Sequence, residues 1–130
     1  MDYMILIHSD ETFEMPAEGT PEFGEMMGQW MAYNQTLIDG GHWIAGASLM
    51  PTMTATTVRK SFDGAPTTTD GPFAETKDLI AGWMIIDVDS EARAIELAGE
   101  LSSAPGANGE PIHEWLEVRP FLTAPPTITD

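Results

Sequence analysis

Two segments of the chain repeat apolar residues with the period of an amphipathic helix. The first begins after Thr20-Pro21, a hydroxyl N-cap followed by proline at the first helical position, and it ends at Gly40-Gly41. Its apolar residues recur three and four positions apart, which predicts one wide buried face. These residues are Phe23, Met26, Met27, Trp30, Met31, Leu37 and Ile38.

The second helix is predicted from Glu91 to about Leu101, because Asp89-Ser90 supply an N-cap. Its buried side is expected to consist of Ala94, Ile95, Ala98 and Leu101.

The remaining apolar segments are short and rich in β-branched residues, and they predict strands. They cover residues 3–7, 43–49, 55–62, 66–69, 80–88 and 113–121. Gly46 predicts a bulge in the second of these strands. Asp63-Gly64 predicts a tight turn that joins the third and fourth strands as a hairpin.

This order of elements, β-α-β-hairpin-β-α-β, predicts a ferredoxin-like α+β fold, a mostly antiparallel sheet with both helices on one face. The other face then has no helical cover, and an uncovered apolar sheet face usually packs against a second sheet. We therefore expect a homodimer in which two sheets face each other as a dimeric α+β barrel. A single domain is expected over residues 1–122, followed by a flexible tail at 123–130.

The net negative charge of the chain excludes some classes of binding partner. The 130 residues include 21 Asp and Glu against 5 Lys and Arg, a formal net charge of −16. Such a surface repels nucleic acids and anionic membranes, so neither is an expected partner. The absence of cysteine excludes disulfides and thiolate chemistry. No apolar run is long enough to span a bilayer, and we expect a soluble cytoplasmic protein.

The stretch TTTDGPFAETK, residues 67–77, has two compatible interpretations. As a structural device, Asp70 and the Gly-Pro pair turn the chain away from the hairpin, and Phe73 fills an apolar gap. As a binding device, Asp70, Phe73, Glu75 and Lys77 line a pocket on a loop held by the scaffold. We expect Phe73 to be buried and Lys77 to lie near Glu75.

Histidine chemistry is the other candidate. His8, His42 and His113 lie at predicted strand ends without the spacing of metal ligands, so no metal site is expected. His8 could act as a general base if Asp70, Asp87 or Asp10 orients it. No phosphate-binding loop and no serine-nucleophile motif is present, and no cofactor is expected.

The chain resembles the DGPF group of YCII-related proteins. The resemblance rests on Thr69-Asp-Gly-Pro-Phe-Ala-Glu-Thr-Lys77, supported by Ala55-Thr-Thr-Val-Arg59 and Glu117-Val-Arg-Pro120, and it spans residues 2 to 121. It implies the dimeric α+β barrel fold, whose members include muconolactone isomerase-like and dehalogenase-like proteins. It carries no catalytic residue over to this chain, and His8 stands where DGPF relatives often have Tyr.

Two functions follow as hypotheses. The first is the binding of a small molecule, with anions among the candidate ligands, in a pocket at the dimer barrel, without chemistry. The second is a cofactor-free enzyme of the isomerase, lyase or dehalogenase type that uses His8 or a carboxylate for proton transfer. The candidate catalytic residues are His8 and Asp70. The candidate ligand-binding residues are Phe73, Glu75, Lys77, Trp83 and Asp87.

The charge imbalance predicts a salt-dependent stability. Exposed carboxylates repel one another, and this repulsion is screened when the Debye length falls from about 10 Å at 0.1 M salt to about 3 Å at 1 M. Thermal unfolding followed by circular dichroism should therefore give a higher Tm at the higher salt concentration. An unchanged or lower Tm would mean that the negative charges are already compensated in the folded state.

Overall fold

A computed structural model of the protein describes residues 1–10, 17–50, 52–60, 64–72, 78–103 and 113–123. The strands are β1 (Asp2–Asp10), β2 (Trp43–Ser48), β3 (Thr56–Lys60), β4 (Pro66–Asp70), β5 (Asp78–Asp87) and β6 (Trp115–Pro120). The helices are α1 (Pro21–Asp39) and α2 (Glu91–Ser102), and a single 3₁₀ turn covers Thr52–Thr54.

Four strands form the main sheet in the order β2-β5-β1-β6, and each neighbouring pair is antiparallel. Strands β3 and β4 form a separate two-stranded hairpin between β2 and β5 in the chain. This is the strand order of a ferredoxin-like unit with a hairpin inserted, so the predicted α+β fold is confirmed. The tail predicted at 123–130 lies outside the described residues beyond residue 123.

Helix α1 begins and ends where the sequence predicts. The Thr20 hydroxyl accepts a hydrogen bond from the backbone N–H of Phe23, and Pro21 occupies the first turn. At the other end Gly40 is the C-cap residue, and Gly41 has a φ of 76°, a conformation that glycine adopts without strain. The chain can therefore turn directly into β2.

The buried face of α1 is narrower than predicted. Leu37 is buried, and Trp30 and Tyr33 pack against the core. Met31 and Ile38, however, are 65% and 47% exposed, so their predicted burial is wrong. Each follows a core-facing residue by one position, which rotates its side chain by about 100° around the helix axis.

Helix α2 shows the same effect. Ser90 caps it by accepting a hydrogen bond from the N–H of Arg93, as predicted. Its buried residues are Ala94, Leu97 and Ala98. Ile95 is 57% exposed, so its predicted burial is wrong. The buried stripe consists of Ala94 and the residues three and four positions after it, Leu97 and Ala98.

The core lies between the two helices and one face of the sheet. Alternate residues of the central strands point into it, because successive side chains of a strand lie on opposite faces. The buried residues are Tyr3, Ile5 and Ile7 of β1, Met84 and Ile86 of β5, Val88, Leu37 of α1, and Ala94, Leu97 and Ala98 of α2. Leu116 and Val118 of the edge strand β6 pack against this cluster.

Glycine at position 46 is required by close packing. The irregularity in β2 lies between Trp43 and Ala45, so the bulge predicted at Gly46 is displaced toward the start of the strand. A Cβ atom at Gly46 would lie 2.6 Å from Cη2 of Trp43 and 2.9 Å from the backbone oxygen of Trp83. The Trp43 indole therefore packs over the bare backbone of Gly46.

We predict that Gly46→Ala lowers the free energy of unfolding by about 1–3 kcal/mol, because the indole or a sheet strand must move to admit the methyl group. Gly24→Ala is the matched control. Gly24 lies in the interior of α1 with nothing within 4 Å of an added Cβ, and there alanine should stabilise by about 0.5–1 kcal/mol. Urea denaturation of both variants measures whether the free energy of unfolding falls for Gly46→Ala and rises for Gly24→Ala. A neutral Gly46→Ala would contradict the close packing of Trp43.

One hydrogen bond joins the two helices directly. The Tyr33 hydroxyl of α1 donates to the backbone oxygen of Leu97 in α2 at 2.6 Å. Burial raises the pKa of Tyr33 to about 12, with a further contribution from the carboxylate of Glu100. The phenol is thus held neutral in the folded protein, since the phenolate could not donate this bond.

Tyr33→Phe should reduce stability at neutral pH by about 1 kcal/mol, the usual net value of one hydrogen bond. The folded-state pKa lies above the ordinary value of 10.0, so the contribution of Tyr33 is complete below pH 10 and is lost as the pH rises toward 12. The difference in Tm between wild type and variant should therefore shrink across this range. A difference that is independent of pH would mean that Tyr33 does not titrate with folding.

Candidate functional site

The sheet face opposite the helices is built from the alternate set of strand residues. We call it the open face, because both described helices pack against the other side of the sheet. From one edge of the sheet to the other it consists of Ala45 and Ala47 of β2, Ile80, Trp83 and Ile85 of β5, Met4, Leu6 and His8 of β1, and Trp115, Glu117 and Arg119 of β6. Its centre is apolar and its β6 edge is polar.

The apolar centre has the character of a packed surface. Met4 and Leu6 lie on the inner strand β1, and the strand register places Ile85 beside Met4 and Trp83 beside Leu6. All four are partly buried within one chain. Cross-strand neighbours at this separation pack against one another, so these side chains form one continuous apolar patch.

Three polar side chains make a chain of contacts along the β6 edge. Nε2 of His8 lies 3.3 Å from Oε1 of Glu117, and Nε of Arg119 lies 3.7 Å from Oε2 of the same carboxylate. The side chain of His8 is 24% exposed, that of Glu117 47% and that of Arg119 67%. His8 on the inner strand β1 is therefore less exposed than the two charged residues on the edge strand β6.

The geometry decides which nitrogen of His8 is available for chemistry. An ionised carboxylate only accepts hydrogen bonds, so Nε2 of His8 carries the proton directed at Glu117. In the neutral ring Nδ1 is then an acceptor. Glu117 orients the ring through Oε1, and the guanidinium of Arg119 lies near the other carboxylate oxygen, Oε2.

A tryptophan stands beside this cluster. Trp115 is the register partner of His8 in the β1–β6 pair, and it is 76% exposed. Ile80, the partner of His8 on the other side, is 42% exposed. Large exposed apolar side chains next to a polar cluster are typical of a surface that is covered by a ligand or a partner.

Comparison with known proteins identifies the family. The sequence model of the YCII-related domain family matches residues 1–123. The chain belongs to the YCII-related domain family. A protein of Rhizobium meliloti (strain 1021), described only as uncharacterized, is 33% identical over 126 residues, which cover 97% of this chain and 96% of that protein.

The described site residues that the sequence predicts for this YCII-related protein, His8, Asp70, Trp83 and Asp87, do not form one cluster. Phe73, Glu75 and Lys77 lie outside the described residues, and their roles stay predictions. Trp83 lies on the open face. Asp70 ends β4 opposite Thr56, is exposed, and among the described residues forms no ion pair or hydrogen bond with His8.

Asp87 lies at the opposite end of β5 from the partner of His8. Its carboxylate is 2.9 Å from the N-terminal ammonium of Met1, which holds the pKa of Asp87 below its usual range. His42 contacts the backbone oxygen of Asp87 at 2.9 Å through Nδ1, which therefore donates. In this structure Asp87 thus helps to fasten the chain start and the beginning of β2 to β5.

The carboxylate that orients His8 is one that sequence reasoning did not single out. Glu117 and Arg119 alternate with the core-facing Leu116 and Val118, so their placement on the open face follows from the period of the strand. A ferredoxin-like order also makes the first and last strands neighbours. Together these two rules place Glu117 on the strand next to His8 and on the same face, whereas the register that brings the two side chains together comes from the structure.

Two negative findings apply to the described part of the chain. No group of three or more His, Asp or Glu residues there is arranged to hold a metal ion. No described helix is long and apolar enough to cross a membrane.

Proposed function

We propose that this YCII-related protein is a homodimer that binds a small anionic molecule between two open faces. The observation that supports this is the juxtaposition, on one sheet face without a helical layer, of an apolar patch and the His8–Glu117–Arg119 cluster. Ligand sites combine these two properties: apolar walls with a few convergent polar groups.

The apolar patch supports the dimer. An antiparallel sheet can leave a polar face in water, but an apolar face is stabilised by burial against another layer, and a second copy supplies an identical sheet. Two facing sheets pack about 10 Å apart with interdigitating side chains, so a small ligand between them occupies a local gap in that packing. Enclosure also strengthens every polar interaction with that ligand, since water is excluded.

The charges support an anionic ligand. Arg119 is the cation on the open face among the described residues, and its long contact of 3.7 Å with Glu117 leaves most of its five N–H donors available. A guanidinium fork pairs well with a carboxylate or phosphate. His8 can add a further donor when protonated or an acceptor at Nδ1 when neutral.

A second function is proton transfer, of the isomerase, lyase or dehalogenase type. The observation that favours it is the contact of His8 with Glu117, an imidazole oriented by a carboxylate beside an apolar surface. In this function Nδ1 of His8 removes a proton from the bound molecule and Glu117 stabilises the imidazolium that forms. General bases of this kind contribute about 10²–10⁴-fold to a rate.

A thermal-shift screen against small carboxylates and phosphates tests the proposed binding. A ligand at about 100 times its Kd should raise the free energy of unfolding by about 2.7 kcal/mol and raise the Tm accordingly. Arg119→Ala should fold normally and lose most of this shift. Arg93→Ala is the control, because Arg93 lies on α2, where it pairs with Glu96 at 3.0 Å, and it should keep the full shift.

The absence of any shift across the panel, or equal shifts in both variants, would contradict the proposed site. Incubation of wild type with each stabilising compound, followed by NMR of the small molecule, distinguishes the two functions. Binding alone leaves the compound unchanged. Conversion that is lost in Glu117→Gln would favour proton transfer.

A further inference from the structure

The hairpin and the segment that leads to it form a distinct surface of the molecule. We call residues 49–50, 52–60 and 64–70 the arm. We propose that the arm packs on a second copy of this chain, with Arg59 and Lys60 placed against carboxylates of that copy. This inference rests on the proposed dimer, and it assigns to the arm a part of the interface that the sheet faces alone do not provide.

Leu49 donates a backbone hydrogen bond to Ala81 of β5 at 2.8 Å, but the hairpin of the arm has little support from the main sheet. Its two strands pair with each other, with Thr56 opposite Asp70 and Lys60 opposite Pro66, and neither strand joins the main sheet. All five residues of β4 and four of the five residues of β3 are exposed. A two-stranded hairpin is at best marginally stable in water, so this one needs a surface to pack against.

The apolar residues of the arm also face solvent in the single chain. Leu49 is 48% exposed, Met50 73%, Met53 85% and Val58 60%. Grouped exposure of this kind marks an interaction surface, and flexible methionine side chains adapt well to one. The surface that the arm meets therefore has apolar character.

The charge of the arm selects an acidic partner. Arg59 and Lys60 are adjacent in β3 and both exposed, and they are two of only 5 basic residues in a chain with 21 acidic ones. A second copy offers the matching charge, because it carries 21 acidic residues against 5 basic ones. Complementary charge of this kind directs association and disfavours other registers.

The position of the arm in the fold makes this contact geometrically direct. It leaves the main sheet where β2 ends at Ser48 and returns where β5 begins at Asp78, at the same end of the sheet as the His8–Ile80 pair. Five extended residues reach about 17 Å. When two open faces meet, the arm is thus within reach of the second copy at high effective concentration.

Zero-length cross-linking tests the contact. The chain has two lysines, Lys60 and Lys77. Carbodiimide treatment of mixed unlabelled and isotope-labelled protein should give Lys60–carboxylate peptides that combine both labels, which prove a link between chains. Lys60→Arg keeps the charge and should abolish these peptides, whereas Lys77→Arg should keep them. Lys60 links found only within one label would overturn the proposal.

Charge reversal measures the energetic contribution. The dimer dissociation constant of the Arg59→Glu/Lys60→Glu double variant, determined by sedimentation equilibrium, should rise about tenfold or more. Arg93→Glu, a reversal on helix α2, should change it less than about twofold. Far-UV circular dichroism checks that the variants fold, which is expected because the arm lies outside the core.

The outcomes separate this inference from the proposed function. A wild-type protein that sediments as a 14.1 kDa monomer at micromolar concentration would overturn the dimer and the arm contact together. A stable dimer whose dissociation constant is unchanged by the double reversal would overturn the arm contact alone. The carboxylate-induced thermal shift of the open face is measured independently of either result.

Discussion

The antiparallel pairing of β1 with β5 determines which side chains lie on each face of the main sheet. The two strands are the inner members of the sheet, and their register places Tyr3 beside Ile86 and Ile5 beside Met84 on the helix side. The same register necessarily places Met4 beside Ile85 and Leu6 beside Trp83 on the open face. Because a slip of one residue would exchange the two faces, the buried core and the candidate site are specified by a single set of backbone hydrogen bonds.

That dependence explains why the fold could be predicted more completely than the site. Capping signals at Thr20 and Ser90 are local, and both helices begin where these residues indicate. The faces of the helices were less certain, because residues one position apart, such as Leu37 and Ile38, differ by 100° and only tertiary packing decides between them. The contact between His8 and Glu117 joins residues 109 positions apart, so it can be inferred only after the strand order is known.

The DGPF stretch illustrates the limit of motif reasoning in this protein. It is the most distinctive sequence feature and carries the resemblance to the DGPF group, yet motif distinctiveness says nothing by itself about chemistry. Two members of the polar cluster on the open face, Glu117 and Arg119, come from an ordinary alternating strand, Trp115–Pro120, and the third, His8, comes from β1. The position of these side chains on the open face follows from the alternation of side chains along a strand and not from a sequence motif.

The charge of the whole chain and the chemistry proposed for the open face oppose each other, and this opposition limits how the site can work. A formal net charge of −16 repels an approaching anion at long range, so diffusional steering cannot supply the affinity. Salt screens that repulsion beyond about 10 Å, whereas a contact inside a closed interface is screened much less. Affinity must then come from short-range pairing with Arg119 and from burial against Leu6 and Trp83, both of which need the second face of the sheet to be covered. Under the proposed function, enclosure of the open face therefore strengthens anion binding by removing water from both of these contacts.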